Sequence, residues 1–202
     1  MKKISIIILM IFVLGTLSFT ACNTESTDTK IDDYITNTVK KVEILDHKFS
    51  NYFLTYDEYL KELKDLFVNA FDENKHYERK YAEIDIRNFT DEELKNIREK
   101  YEKENKKDKI EVEISKIYSD GKYKYVFTKA NIIQPYMPEN KENITGIVIT
   151  RKYTFVKENN DWKIQYIDQA LYSNNISFEK MEYNKFNNEL AEYITKFDPL
   201  EN

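Results

Sequence analysis

The sequence predicts an α+β domain in which helices come first and an antiparallel sheet follows. Three observations carry this. Up to about residue 103 apolar residues recur at intervals of three and four; from Ile110 the interval drops to two; and Asp120-Gly121 and Asn159-Asn160-Asp161 divide the second half into paired strands. Elements segregated in this order pack as helices on one face of a sheet, read here as curved.

The first helix is read from Ile31, Tyr34, Ile35, Val39, Val42 and Leu45, which share one face. The second starts at a capping box, Thr55 with Glu58, ahead of Tyr56, Tyr59, Leu60, Leu63, Phe67 and Phe71. Thr90 with Glu93 repeats that signal before Leu94, Ile97 and Tyr101. Ile110, Val112 and Ile114 then alternate with Glu111, Glu113 and Ser115 as a half-buried strand, and Tyr123, Tyr125 and Phe127 return after Asp120-Gly121. Pro135 and Pro138 break the sheet; Ile147 to Val156 and Trp162 to Leu171 make a second hairpin. From Phe178 through Tyr193, Ile194 and Phe197 a weaker amphipathic pattern predicts a C-terminal helical segment ending at Asp198-Pro199.

The first 21 residues have a different character. Met1-Lys2-Lys3 is cationic, Ile4 to Phe19 is almost unbroken apolar sequence, and Thr20-Ala21 are small, the three-part layout of a secretory signal. The run is shorter than the roughly 20 apolar residues of a spanning helix and no cationic stop follows it. Leu17-Ser18-Phe19-Thr20-Ala21-Cys22 resembles the lipobox of bacterial lipoproteins, with Phe19 standing where an aliphatic residue is usual. That resemblance implies cleavage before Cys22, diacylglyceryl modification of its thiol, and a lipid anchor on the extracytoplasmic face of the cell membrane. Cys22 is the chain's one cysteine, so an internal disulfide is excluded. Residues 22–30, rich in Asn, Thr, Ser and acids, read as a disordered tether, and residues 31–202 as a single domain.

The formal net charge is -5; removing residues 1–21 takes away two lysines and no acid, which makes it -7. Such a balance opposes nucleic-acid binding, and the lysines from Lys95 to Lys109 are interspersed with glutamates, as on a solvated helix face. Three glycines in 202 residues leave no glycine-rich phosphate cradle, and no serine sits in a Gly-x-Ser-x-Gly turn.

The segment from Arg151 through Tyr153, Phe155 and Asn159-Asn160-Asp161 to Trp162-Lys163-Ile164 resembles the final hairpin of NTF2-like domains. The resemblance implies a cone-shaped sheet capped by helices, with a pocket between them that enzymatic members use for isomerase, dehydratase or hydrolase chemistry. By element order it extends over residues 31 to 172. The helices between Thr55 and Lys103 and the C-terminal segment depart from the compact pattern.

Few residues stand out as chemical candidates. His47 lies four residues after Glu43, on one helix face, and offers a metal two ligands; a structural zinc site usually takes four of the Cys/His kind, and with no available cysteine it reads as a surface or boundary histidine, and no metal or other cofactor is expected. His76 reads as a loop residue. Asp168, near Tyr166 at the end of the last strand, serves as a general base only if buried, and strand-end aspartates are commonly solvated. Tyr123, Tyr125, Phe127, Tyr153, Phe155, Trp162 and Tyr166 alternate along strands, and they either fill the core or line a ligand pocket.

The resulting expectation is a membrane-tethered, non-enzymatic binding or accessory module for a protein, a peptide or a small apolar ligand at the cell envelope. Two alternatives stay open: a pocket enzyme of the isomerase or hydrolase kind, and a structural subunit of an envelope complex. A buried acid facing a His or Tyr favours the enzyme, an apolar pocket without such a pair favours binding, and an exposed apolar patch favours the subunit.

Overall fold

A computed structural model describes residues 28–69, 89–104, 108–133, 146–174 and 191–201. The chain divides into two compact units, 1–37 and 38–202. Of the first, residues 28–37 are described and helical, so helix replaces the expected tether by residue 28. The lipobox lies outside the described residues, as do His76, Pro135 and Pro138. No helix among the described residues is long and apolar enough to cross a membrane.

Helix α1 covers 28–50. In the second unit it buries Val39, Val42, Leu45 and Phe49, together with the polar Glu43, Asp46 and His47. It ends in a Schellman cap: Phe53 N–H donates to Lys48 O at 2.8 Å and Tyr52 N–H to Phe49 O at 3.1 Å. The left-handed position of that cap, usually glycine, is held by Tyr52 at φ 65°. Tyr52 pairs edge-on with Tyr101 at 5.8 Å, and Arg98 donates to its carbonyl. Helices α2 (Tyr56–Lys64) and α3 (Asp91–Lys103) both start at complete capping boxes, Thr55 with Glu58 and Thr90 with Glu93.

The sheet comprises β1 (Lys109–Ser115), β2 (Tyr118–Ser119), β3 (Lys124–Ile133), β4 (Gly146–Glu158), β5 (Asp161–Asn174) and β6 (Tyr193–Phe197). Its order is β5-β4-β3-β1-β6, with β2 also on β3, and every pairing is antiparallel. The sheet is open, with β5 and β6 at its ends. The chain is therefore α+β, as its periodicities indicate. The β4–β5 turn puts Asn159 and Asn160 at φ 49° and 72°, the two positive dihedrals of a type I′ hairpin, which asparagine tolerates. Bulges at Thr154/Phe155 and Ile114/Ser115 bend the strands.

The expected C-terminal helix does not extend to Phe197, because residues 193–197 form β6. Tyr193 pairs with Ser115 and Phe197 with Val112. Tertiary pairing accounts for the difference. The free ladder groups of β1 take up a segment whose β-branched Ile194-Thr195 pair suits a strand, against the last part of a weak helical spacing that began at Phe178. Residues 178–190 of that expectation lie outside the described residues.

Register sorts the strand side chains. Ile110, Val112 and Ile114 face Ile132, Ala130 and Thr128, and β3 continues this face into β4 at Ile147, Ile149, Arg151, Tyr153 and Phe155. Val112, Ile114, Val126, Tyr153, Phe155 and Ile164 are fully buried. Each apolar side chain removed from water in this way contributes about 1.5–3 kcal/mol. Glu43 of α1 bonds to Thr128 and Tyr153, which places α1 on this face. After α2 the chain meets edge strand β5, where Val68 N–H donates to Ile164 O at 3.0 Å and Ile164 N–H to Leu66 O at 2.9 Å.

Candidate functional site

Between α1 and the inner face of the sheet lies a buried cluster of charge. Glu43, Asp46 and His47 occupy consecutive positions of one helical face (i, i+3, i+4), and all are nearly solvent-free. The sheet supplies their partners from register neighbours. Thr128 and Arg151 are directly paired across β3 and β4, and Tyr153 follows Arg151 by the two residues that return a strand to the same face.

Glu43 is the hub. Its Oε1 accepts from Thr128 Oγ1 at 2.6 Å and from Tyr153 Oη at 2.7 Å, and its Oε2 accepts from Arg151 Nη1. Burial alone would push the carboxyl up, but the Arg151 guanidinium, His47 and the Thr128 hydroxyl outweigh it and hold it at about 2. Burial, then the Glu43 charge, pushes the Tyr153 phenol well above its ordinary range. Asp46 takes the Tyr59 hydroxyl at 2.6 Å and lies 3.3 Å from Arg151 Nη1. Arg151 also donates from Nε to Gln169 Oε1 at 2.9 Å. His47 Nε2 sits 3.5 Å from Glu43 Oε2, a distance without hydrogen-bond alignment.

A cavity of about 210 Å³ opens beside this cluster. Asp46, His47, Arg151 and Gln169 form its polar end, while Ile132, Ile147, Ile149 and Leu171 give an aliphatic wall. Ser50, Asn51 and Asp108 complete the lining. Ser50 Oγ and Asn51 Nδ2 both donate to the His47 carbonyl, at 3.2 and 2.9 Å, which fixes the last turn of α1 at the rim. Burial pushes the Asp108 carboxyl up to about 6. Among the described residues Asp108 has no ion pair or hydrogen bond to offset that burial. The buried side-chain atoms lacking a hydrogen-bond partner among the described residues are His47 Nε2, Thr150 Oγ1 and Thr154 Oγ1. Of these residues, only His47 lines the cavity.

His47 is thus buried, contrary to its reading as a surface or boundary histidine. The physical reason is that α1 buries more than its apolar stripe, since Arg151 supplies a counter-charge for the adjoining acids. Among the described residues no group of three or more His, Cys, Asp and Glu is arranged to hold a metal ion.

The aromatic candidates are divided between the two faces of the sheet. Tyr153 and Phe155 are fully buried on the inner face, Tyr153 as a ligand of Glu43. Tyr125 and Phe127 pair with Thr154 and Lys152, on the opposite face. There Tyr118 meets Phe127 edge-on at 5.6 Å, and Lys152 Nζ lies 4.4 Å from the Tyr125 ring centre. Tyr123 lies beside Tyr125 at 6.3 Å, Tyr166 is exposed, and Trp162 carries Lys124 Nζ at 5.8 Å. None of this set lines the cavity, nor does Asp168, which pairs with Lys152 in register.

Arg151 and Gln169 had one visible sign in the sequence. Each stands at an inward position of its strand, where neighbours two residues away are apolar. Glu43 had the same sign, an acid adjoining Val39 and Val42. Asp108, between two lysines, had none. No protein-family model, no curated protein and no solved structure matches this chain.

Proposed function

We propose that this chain is a lipid-anchored extracytoplasmic binding protein of NTF2-like fold, whose cavity holds a small molecule with an aliphatic body and a polar head. The carrying observation is the cavity itself: an aliphatic wall from three strands meets a polar end built from α1 and Arg151. Its volume equals roughly seven water-sized units, so its ligand has on the order of seven non-hydrogen atoms. Helices preceding a bent antiparallel sheet, with the cavity on the helix-covered face, support the NTF2-like assignment. The lipobox at Cys22 supports the anchor.

Binding is favoured over acid–base catalysis because the deepest acid is spent. Glu43 is held ionised at about 2, bonded to three donors, and is a poor base at neutral pH. One observation favours the enzyme reading: Asp108, raised to about 6, shares the cavity wall with His47. That reading predicts that hexan-2-one exchanges its α-hydrogens for solvent deuterium in the presence of the protein and that Asp108→Asn abolishes the exchange. The binding reading predicts no exchange above buffer.

The test of the cavity is calorimetric titration with hexan-1-ol, hexylamine and hexanoate, repeated on Ile149→Trp, which fills the space. Binding of at least one probe, lost in the filled variant, supports the reading; no binding by any of them overturns it. For the anchor, a diacylglyceryl mass on the mature chain and loss of membrane association in Cys22→Ala are expected. An unmodified chain in the medium would refute it.

A further inference from the structure

Resting on that reading, we infer that the head group the cavity selects is cationic, a primary ammonium on a short aliphatic chain.

The charges in the lining point one way. Arg151, the only Lys or Arg among the described residues of the lining, is already engaged with Glu43, Asp46 and Gln169. An entering carboxylate would therefore meet Asp46 and Asp108 without an uncommitted guanidinium to receive it. An entering ammonium meets the reverse situation. Asp108 lies in the wall with no ion-pair partner among the described residues, and Asp46 adds a second carboxylate to the lining.

The backbone adds to this bias. The last turn of α1 borders the cavity through His47, Ser50 and Asn51. A helix presents the negative end of its dipole there, and cations are favoured within that last turn. His47, also in the lining, has its Nε2 at 3.5 Å from Glu43 Oε2 and makes no aligned hydrogen bond among the described residues.

The wall narrows the class of cation. Quaternary ammonium groups, which have no N–H to donate, are held by aromatic cages. This wall is aliphatic, from Ile132, Ile147, Ile149 and Leu171, and among the described residues no aromatic side chain lines the cavity. The acceptors present are carboxylate and amide oxygens, which suit a head that donates hydrogen bonds. The aliphatic wall accommodates the chain, and the volume suits one of about six carbons.

The experiment is calorimetric titration of the full chain at pH 7.5 with hexylamine, hexan-1-ol and hexanoate, matched in length and differing in head charge. Hexylamine is expected to bind at least tenfold more tightly than hexan-1-ol, with hexanoate the weakest of the three. Asp108→Asn, isosteric and checked for folding by circular dichroism, is expected to weaken hexylamine binding far more than hexan-1-ol binding and so remove most of the preference for the amine. Hexan-1-ol or hexanoate matching hexylamine would overturn the inference and leave the cavity reading intact. Tetramethylammonium binding as well as hexylamine would overturn the hydrogen-bonding head. No binding by any probe would remove the cavity reading and this inference together.

Discussion

Replacing Arg151 by methionine tests the buried cluster at its guanidinium. Arg151 faces two buried carboxylates, bonding Glu43 and standing 3.3 Å from Asp46. Methionine keeps the aliphatic stem and leaves both acids without their cation. Removing one partner of a buried ion pair costs about 3–5 kcal/mol, a large share of the roughly 5–15 kcal/mol that holds a domain folded. The loss carries a pH signature. In the native chain the Glu43 carboxyl is depressed from 4.5 to about 2, so it contributes about 3 kcal/mol that is present above pH 4.5 and is lost as pH falls towards 2. Without Arg151, burial, the largest single influence on this carboxyl, is expected to outweigh His47 and Thr128 and carry it above 4.5. Its contribution then reverses: full stability is reached only below the unfolded value and is lost as pH rises through the folded one. Urea unfolding followed by circular dichroism at pH 7.5 and 5.0 measures both effects. The variant should lose about 3–5 kcal/mol at pH 7.5 and regain at least about 1 kcal/mol of the deficit at pH 5.0. Adding Glu43→Gln should cost less than the sum of the two single changes. A loss under about 1 kcal/mol at pH 7.5, or a deficit independent of pH, would refute the reasoning.

Three further predictions address separate parts of the fold. Asp108→Asn should stabilise the chain at pH 7 by about 1 kcal/mol, after discounting for the partial exposure of this carboxyl. A raised folded-state value means stability that is full below 3.8 and lost as pH rises through about 6, so the advantage should vanish in thermal melts at the acid end. Tyr59→Phe removes the hydroxyl that meets Asp46 at 2.6 Å and should cost about 1.5–3 kcal/mol by urea titration, with an unchanged denaturant slope. Thr55→Ala opens the capping box of α2 and should cost about 1 kcal/mol, while Thr55→Ser should restore it.

How much was legible in the sequence depended on whether a feature was local. Both capping boxes, the switch from helical to alternating periodicity and the Asn159-Asn160 turn are settled within a few residues, and each recurs in the structure where the pattern puts it. The segment ending at Phe197 went the other way, because its state is decided by the open edge of β1, some 80 residues earlier in the chain. The site divides similarly. Glu43, Asp46 and His47 share one helical face by spacing alone, but their burial depends on Arg151, Tyr153 and Thr128, which are 85 to 110 residues distant from Glu43. A charged residue at an inward strand position is the local trace of such a partnership, and Arg151 carried it between Ile149 and Tyr153. The alternating aromatics misled in a different manner. Strand parity is readable from sequence, but which parity meets the helices is not, so Tyr125 and Tyr153 were grouped although they occupy opposite faces.

The central claim, that the space beside Arg151 and His47 is a ligand site, is tested most directly by methyl-resolved NMR of the full chain titrated with hexylamine and, in parallel, hexan-1-ol. Saturable shifts concentrated on the methyl groups of Ile132, Ile147, Ile149 and Leu171, with the His47 ring moving in step, are the predicted result. Shifts falling instead on the opposite face, at Tyr123, Tyr125 and Tyr166, or no saturable shift from either probe, would contradict it.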